Sequence, residues 1–368
     1  MNNVCTHAYI NFVLFHNITT IIHFAIETNI EKKIVFFIEN ESHFRFIQPL
    51  FEYFLVNNFS LLIISQNSPF NESTYQNKNL EIIKLKSDFE KIKILKNLSA
   101  DLFFTTTPSI GNSIFPKSKA FPKENRPKYI YLFHSMVSPN EMYTKDSFYN
   151  FDYIFSPSET ISDQIKFLIS KNTKVTTTGY LLFNNLKPLN YQKKYKDKIL
   201  VAPTWGQEGL DEIIENFHLI NNFINSQGCE TVFRPHPMTN IENIRKDLLK
   251  IKLDDKLSLD NLHEYKYLIT DYSGIALEFA YLTGRSSIFL NVKKKIKRRL
   301  SNEEKRINLI ENDMRNIIGF SLNFSEINDI VEINKPNQTN FVDFIKKINF
   351  SEKSLNFSID YLKSENLI

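Results

Sequence analysis

From residue 33 the chain alternates short apolar runs with helix-period segments, and it does so twice. The first series of strand-like runs is KIVFFIEN, SLLIIS, LEIIKL, ADLFFTTTPS, KYIYLFHS, FDYIFSPS and KVTTTGYLL. Helical patterns separate them: SHFRFIQPLFEYFLVNN, with Ser42 as its expected N-cap, DFEKIKILKNL, and a segment from about Ser158 to Ser170. A second series begins at KILVAPTW and continues through the helix LDEIIENFHLINNFINSQG, the strand ETVFRPHP, the helix IENIRKDLLKI, the short strand KLSL and the strand YLIT. Strand and helix in regular alternation predict parallel sheets wrapped by helices, so the fold class is α/β, with two Rossmann-like doubly wound domains facing a central cleft.

The polar stretch NNLKPLNYQKKYKDK lacks periodicity and reads as the joint between the two series. The expected organisation is a first domain over 1–185, a linker over 186–197, a second domain over 198–325, and a tail over 326–368 that packs back across the first domain. A length of 368 residues accommodates two such domains, and 42% hydrophobic against 23% charged residues describes a globular chain. The formal net charge of +4 gives no reason to invoke nucleic acid. The two cysteines, Cys5 and Cys229, form no CxxC pair, which argues against a disulfide framework or structural zinc and suits a reducing cytoplasm. The N-terminal run INFVLFHNITTIIHFAIE is interrupted by Asn11, His16, Asn17, Thr19, Thr20 and His23, and no Lys or Arg precedes it. That pattern predicts a packed or interfacial helix rather than a membrane span or secretion signal.

Ligands of open α/β sheets bind beyond the carboxyl ends of the strands. Polar and cationic residues collect there: His134-Ser135, Ser156-Pro157-Ser158, Pro203-Thr204-Trp205-Gly206, Arg234-Pro235-His236-Pro237 and Asp271-Tyr272-Ser273-Gly274. His236 is fixed between two prolines beside Arg234, a setting suited to a phosphate oxygen or to developing negative charge. His134 ends an apolar run and has the titration range of a general base, though a structural hydrogen bond at the strand end would also account for it. Ser273 and Gly274 fall where a helix begins, so backbone N–H groups and the helix dipole favour an anion there; plain N-capping by Ser273 or Asp271 is the simpler alternative. Glu278, farther along the same helix, could accept ribose hydroxyls or simply face solvent. No DxD motif ends a strand, and Asp254-Asp255 reads as part of a charged turn. The run Lys293-Lys294-Lys295-Ile296-Lys297-Arg298-Arg299 reads either as a solvated face or as a surface for an anionic acceptor or anionic lipid.

Taken in order and spacing, KYIYLFHS, KILVAPTW, VFRPHP and LITDYSGIALEFAYLTGRSSIFLN resemble the CDP-glycerol glycerophosphotransferases, enzymes of teichoic acid and capsule phosphopolymer synthesis. The resemblance spans roughly residues 125–292. It implies a GT-B fold, an acceptor-side first domain, a nucleotide-side second domain and a metal-independent transfer with no cofactor beyond the donor substrate. By the same resemblance His134 matches the catalytic base, His236 a histidine on the donor pyrophosphate, Ser273 the first of two signature serines, and Thr204 the turn lining the nucleotide. The implied partners are a CDP-alditol or other nucleotide-activated donor and a glycan or phosphopolymer acceptor, met in the cytoplasm or on the inner face of its membrane. Three departures stand out: Ser135 replaces a common Gly, Gly274 replaces the second serine, and Asn291 with its basic run replaces an aromatic and acidic continuation. A glycosyltransferase using a nucleotide sugar and a nucleotide-sugar epimerase are the alternatives with the same architecture; a catalytically silent binding protein is the third.

Overall fold

The computed structural model describes residues 33–66, 75, 77–110, 127–186, 195–244, 248, 251–254, 259–294, 299–329, 342, 344, 346 and 354–368. The N-terminal apolar run, most of the polar joint, most of the KLSL strand and Lys295–Arg298 of the basic run lie outside these residues. Two parallel sheets organise the chain. The first contains β1 (Lys33–Ile38), β2 (Ser60–Gln66), β3 (Leu80–Leu85), β4 (Leu102–Thr105), β5 (Lys128–Leu132), β6 (Tyr153–Ser156) and β7 (Lys174–Thr177), in the order β3-β2-β1-β4-β5-β6-β7. The second contains β8 (Lys198–Val201), β9 (Glu230–Phe233), β10 (Lys252–Leu253), β11 (Tyr267–Thr270), β12 (Ser287–Leu290) and β13 (Gly319–Leu322), in the order β10-β9-β8-β11-β12-β13. Both sheets start at an internal strand, run outward and then reverse, so a crevice opens where the order switches: between β1 and β4, and between β8 and β11.

The apolar runs become buried strands because helices cover both faces of each sheet. Ile34, Phe36 and Ile38 of β1 face one core with Ile47, Leu50 and Phe54 of the helix Glu41–Val56, while Val35 and Phe37 face another. Phe36 stacks on Phe104 of β4 with centroids 5.2 Å apart. Beneath the second sheet, Ile213, Ile220, Phe223 and Ile224 pack on Ile199, Phe233 and Ile288. The C-terminal helix Ser354–Ser364 inserts Ile359 and Leu362 into the first sheet's core, and Tyr153 donates to Glu365 across it.

Several local expectations are corrected. The cap of helix Glu41–Val56 is Asn40, whose side chain accepts the Ser42 N–H at 3.0 Å; Ser42 itself lies inside the first turn. The long helix before Gly228 is two helices, Gln207–Glu215 and Phe217–Ser226, broken at Asn216. β13 was read from no sequence signal. Its first residue, Gly319, must stay bare because a Cβ there would stand 2.0 Å from the Ser287 carbonyl oxygen of the neighbouring strand. Asp254 does not sit in a solvated turn: it is buried and tied to Arg234. Among the described residues, no helix is long and apolar enough to cross a membrane.

The two sheets meet through a compact polar joint. Ser138 donates its backbone N–H to Oε1 of Glu311 at 2.9 Å and its hydroxyl to Oε2, and its Oγ accepts the Ile310 N–H. Lys294 bridges the same Glu311 and Glu141, and Gln164 donates to the Asn308 carbonyl.

Candidate active site

A cleft of about 580 Å³ runs between the carboxyl ends of both sheets. Its walls include His134, Thr204, Arg234, His236, Ser273, Gly274 and Glu278; Ser156 and Ser158, also at a strand end, are buried elsewhere, where Ser158 caps the helix Glu159–Ile165. The lining residues converge because the two switch points face each other, so that loops far apart in sequence share one space.

On the second-sheet side, the turn after β8 is bonded to the turn after β11. Asp271 is buried, and its Oδ1 accepts the Thr204 N–H at 2.8 Å. Burial pushes this carboxyl above the usual carboxylate range, while the Thr204 and Tyr272 backbone N–H groups pull against the shift. Asp271 therefore fixes the turn and does not cap the helix. The helix Ile275–Thr283 opens at Gly274 with no side-chain cap, which leaves its first turn facing the cleft. Gly274 has φ −62° and ψ −16°, ordinary right-handed helical values, so its backbone does not demand glycine.

Arg315, which no sequence signal pointed to, supports this turn from behind. Its Nη1 donates to the Asp271 carbonyl at 2.9 Å, and its guanidinium lies over the Tyr272 ring at 4.6 Å. Asn291 accepts from the same guanidinium at 2.6 Å, which gives the departure from the aromatic and acidic continuation a structural role.

Arg234 reaches the cleft wall with its fork already committed. Nε and Nη2 donate to Oδ2 of Asp254 at 3.1 and 2.6 Å, and Nη2 also donates to Asn261 at 2.8 Å. Burial alone would push Asp254 up, yet bonds from Arg234, Tyr265 and Asn261 hold it below its ordinary range. Arg234 is thus a fixed positive charge. In His236, between its prolines, Nδ1 accepts the Met238 N–H at 3.1 Å, which leaves Nε2 as the protonated, donating nitrogen of the neutral ring. The ring lies 6.2 Å from the Trp205 ring. Glu278 is not solvated: it is 6% exposed, Tyr180 donates to it at 3.4 Å, and burial raises its pKa against the opposing pull of Arg45 and Arg234.

On the first-sheet side, His134 follows β5 and packs against the helix after β1. Its ring stacks on His43 with centroids 4.5 Å apart and an interplanar angle of 26°, and Phe46 meets it edge-on. Burial, then the neighbouring His43, lowers the His134 pKa to about 3. Burial, then Arg45, lowers that of His43 to about 4. Both rings are therefore neutral at physiological pH. His43, Arg45 and Tyr180 were invisible in the sequence because they reach the cleft only through tertiary packing; a His and an Arg in the first turns of the helix after β1, at a switch point, were the available hint.

No family model matches the chain, and neither does any curated protein sequence. Solved structures do. The wall teichoic acid polymerase TagF, soaked with CDPG, matches with a TM-score of 0.53 at 14% identity over 91% of this chain and 88% of that one. The UDP-GlcNAc 2-epimerase of Methanocaldococcus jannaschii, in complex with UDP-GlcNAc and UDP, matches with a TM-score of 0.54 at 13% identity over 87% and 100%. Arabidopsis thaliana UGT89C1, complexed with UDP-L-rhamnose, matches with a TM-score of 0.57 at 10% identity over 93% and 100%. The chain has the two-sheet GT-B fold that these proteins share.

Proposed function

We propose that this protein transfers an alditol phosphate, glycerol phosphate or a close relative, from a CDP-activated donor to a hydroxyl of a glycan or phosphopolymer acceptor and releases CMP. The observation that carries the reading is the meeting of a neutral histidine, His134, with the uncapped helix turn at Ser273-Gly274 across one cleft. One side offers a proton acceptor; the other offers a seat for phosphate.

In this reading the donor lies on the second sheet. Its diphosphate takes the helix N-terminus, the Ser273 hydroxyl and the Nε2–H of His236, in the field of Arg234. Thr204 lines the nucleotide and Glu278 accepts ribose hydroxyls. The acceptor enters from the first sheet. His134 takes the proton of its hydroxyl, the oxygen attacks the β-phosphorus, and the bond from that phosphorus to the bridging oxygen breaks as CMP leaves. Positioning and charge neutralisation are the main contributions a protein makes to phosphoryl transfer, and here side chains and a helix N-terminus supply them without a metal. Chelator should leave the rate unchanged. The work is assigned to the cytoplasm or its membrane's inner face, and sedimentation with anionic vesicles tests the latter.

His134→Ala and His236→Ala should each lower turnover by roughly 10²- to 10⁴-fold with an unchanged far-ultraviolet spectrum. Full turnover in both variants rejects the assigned roles. A second reading draws on the comparable fold likeness to UGT89C1 and the epimerase: a nucleotide sugar binds the same turn, and His134 directs attack at the anomeric carbon. That chemistry releases a nucleoside diphosphate.

A further inference from the structure

His43 has no place in the transfer as written, yet its ring stacks on that of His134. Two imidazoles with centroids 4.5 Å apart, half-buried on the wall of the cleft, cannot both be charged without strong repulsion. The residue bridging them is Thr106, just past the end of β4. Its Oγ1 lies 3.2 Å from Nδ1 of His43, and its backbone favours the charged form of His134. Nδ1 of His134 is enclosed with no hydrogen bond of normal geometry, so proton exchange with the cleft falls to Nε2. The groups facing His134 are His43 and Arg45, both from the helix after β1, the Thr106 backbone, and His236 from the second sheet; Phe46 closes the ring's edge. Arg45 and the histidines all oppose protonation of His134, but only His43 also fixes the plane of the ring.

We propose that His43 is a positioning residue for His134, a stacked partner that holds the ring of the base in one plane for the acceptor hydroxyl. The proposal rests on His134 being the base. Its physical content is separate: with the stack removed, the covered face of the ring opens to water and one opposing imidazole disappears, so His134 should titrate closer to an ordinary histidine. A phenyl ring in place of His43 should preserve the stack and the cover it gives one face of His134.

The test is an ¹⁵N-histidine NMR titration of the full chain as wild type, His43→Ala and His43→Phe, with the His134 signal assigned by its loss in His134→Gln. The wild-type His134 ring should stay neutral down to about pH 4, its midpoint in His43→Ala should climb toward 6.5, and its midpoint in His43→Phe should stay low. In turnover, His43→Ala should raise the acid limb of kcat/KM in parallel and lower kcat by about 10²-fold with donor KM unchanged, while His43→Phe retains most of the rate. An His134 midpoint identical in wild type and His43→Ala overturns the proposal. So does a His43→Phe variant as slow as His43→Ala with its acid limb unmoved. If wild type releases no nucleotide from any donor, the transferase reading fails, and the titration alone still decides whether the pair is coupled.

Discussion

Ser138 and Glu311, 173 residues apart in sequence, join the two sheets: one serine gives both its N–H and its hydroxyl to a single buried carboxylate. Glu311 also faces Lys294, which is itself paired with Glu141. This places a fixed, desolvated joint at the edge of the cleft. Removing one partner strands the others. Glu311→Ala should therefore cost about 3–5 kcal/mol, read as a lower urea midpoint, and should expand the molecule in small-angle scattering as the halves separate. A surface-like loss under about 1 kcal/mol with an unchanged scattering profile would contradict that role.

The two stacked histidines set a pH dependence. His43 and His134 have folded pKa values near 4 and 3, below the ordinary 6.5. The unfolded chain binds their protons first, so their contribution is intact above about 6.5 and is lost as pH falls toward the folded values. Each histidine should remove about 1.4 kcal/mol of stability per pH unit within that window. Urea unfolding at pH 7, 6 and 5 should show the slope, and it should be shallower in His43→Phe.

Glu278 carries the opposite sign. Burial raises its folded pKa, so the fold favours its neutral form; its contribution to stability is greatest below the ordinary carboxylate pKa and is lost as pH rises through the folded value. Glu278→Gln mimics the neutral state. The variant should unfold at higher temperature than wild type at pH 7, lose that advantage at pH 4, and bind the donor more weakly because an amide oxygen accepts from ribose hydroxyls less strongly than a carboxylate. Equal melting temperatures at pH 7 would show that Arg45 and Arg234 fully compensate the buried charge.

Gly274 has room to change. A Cβ built on it would meet nothing closer than the Met136 backbone nitrogen at 3.5 Å, an ordinary contact. Gly274→Ser should therefore alter stability by no more than about 0.5 kcal/mol. The new hydroxyl would stand beside the helix N-terminus, and a hydrogen bond to the donor diphosphate should lower donor KM by roughly two- to tenfold. A destabilised variant with weaker donor binding would mean the glycine is required for close approach of the phosphate.

The strand ends were legible in the sequence because fully buried parallel strands are short, nearly unbroken apolar runs that stop at polar residues, as YLIT stops at Asp271 and VF at Arg234. That pattern marked six of the seven candidate residues that line the cleft; Glu278 lies inside the helix that follows, and the same pattern also marked Ser156 and Ser158, which do not line it. β13 was not legible: GFSL is half polar and starts with a glycine whose necessity lies in the Ser287 carbonyl of the next strand. The break at Asn216 hid inside a continuous amphipathic pattern, since both helices bury the same kind of face. Asn40 caps the first helix where Ser42 was expected, a difference of two residues that local pattern does not resolve. Asp254 and Arg315 resembled surface charges, and only tertiary packing turns them into the supports of Arg234 and of the Asp271 turn. His43 belongs to the same class: nothing local to SHFRF marks it as the neighbour of His134.

The central claim concerns which bond of the donor breaks. Incubating the protein with CDP-glycerol, CDP-ribitol and a panel of nucleotide sugars, each with and without acceptor, and identifying the released nucleotide by chromatography tests it directly. Acceptor-dependent release of CMP from a CDP-alditol, lost in His134→Ala, is the predicted result. Release of a nucleoside diphosphate from a nucleotide sugar, with every CDP-alditol left intact, would contradict it.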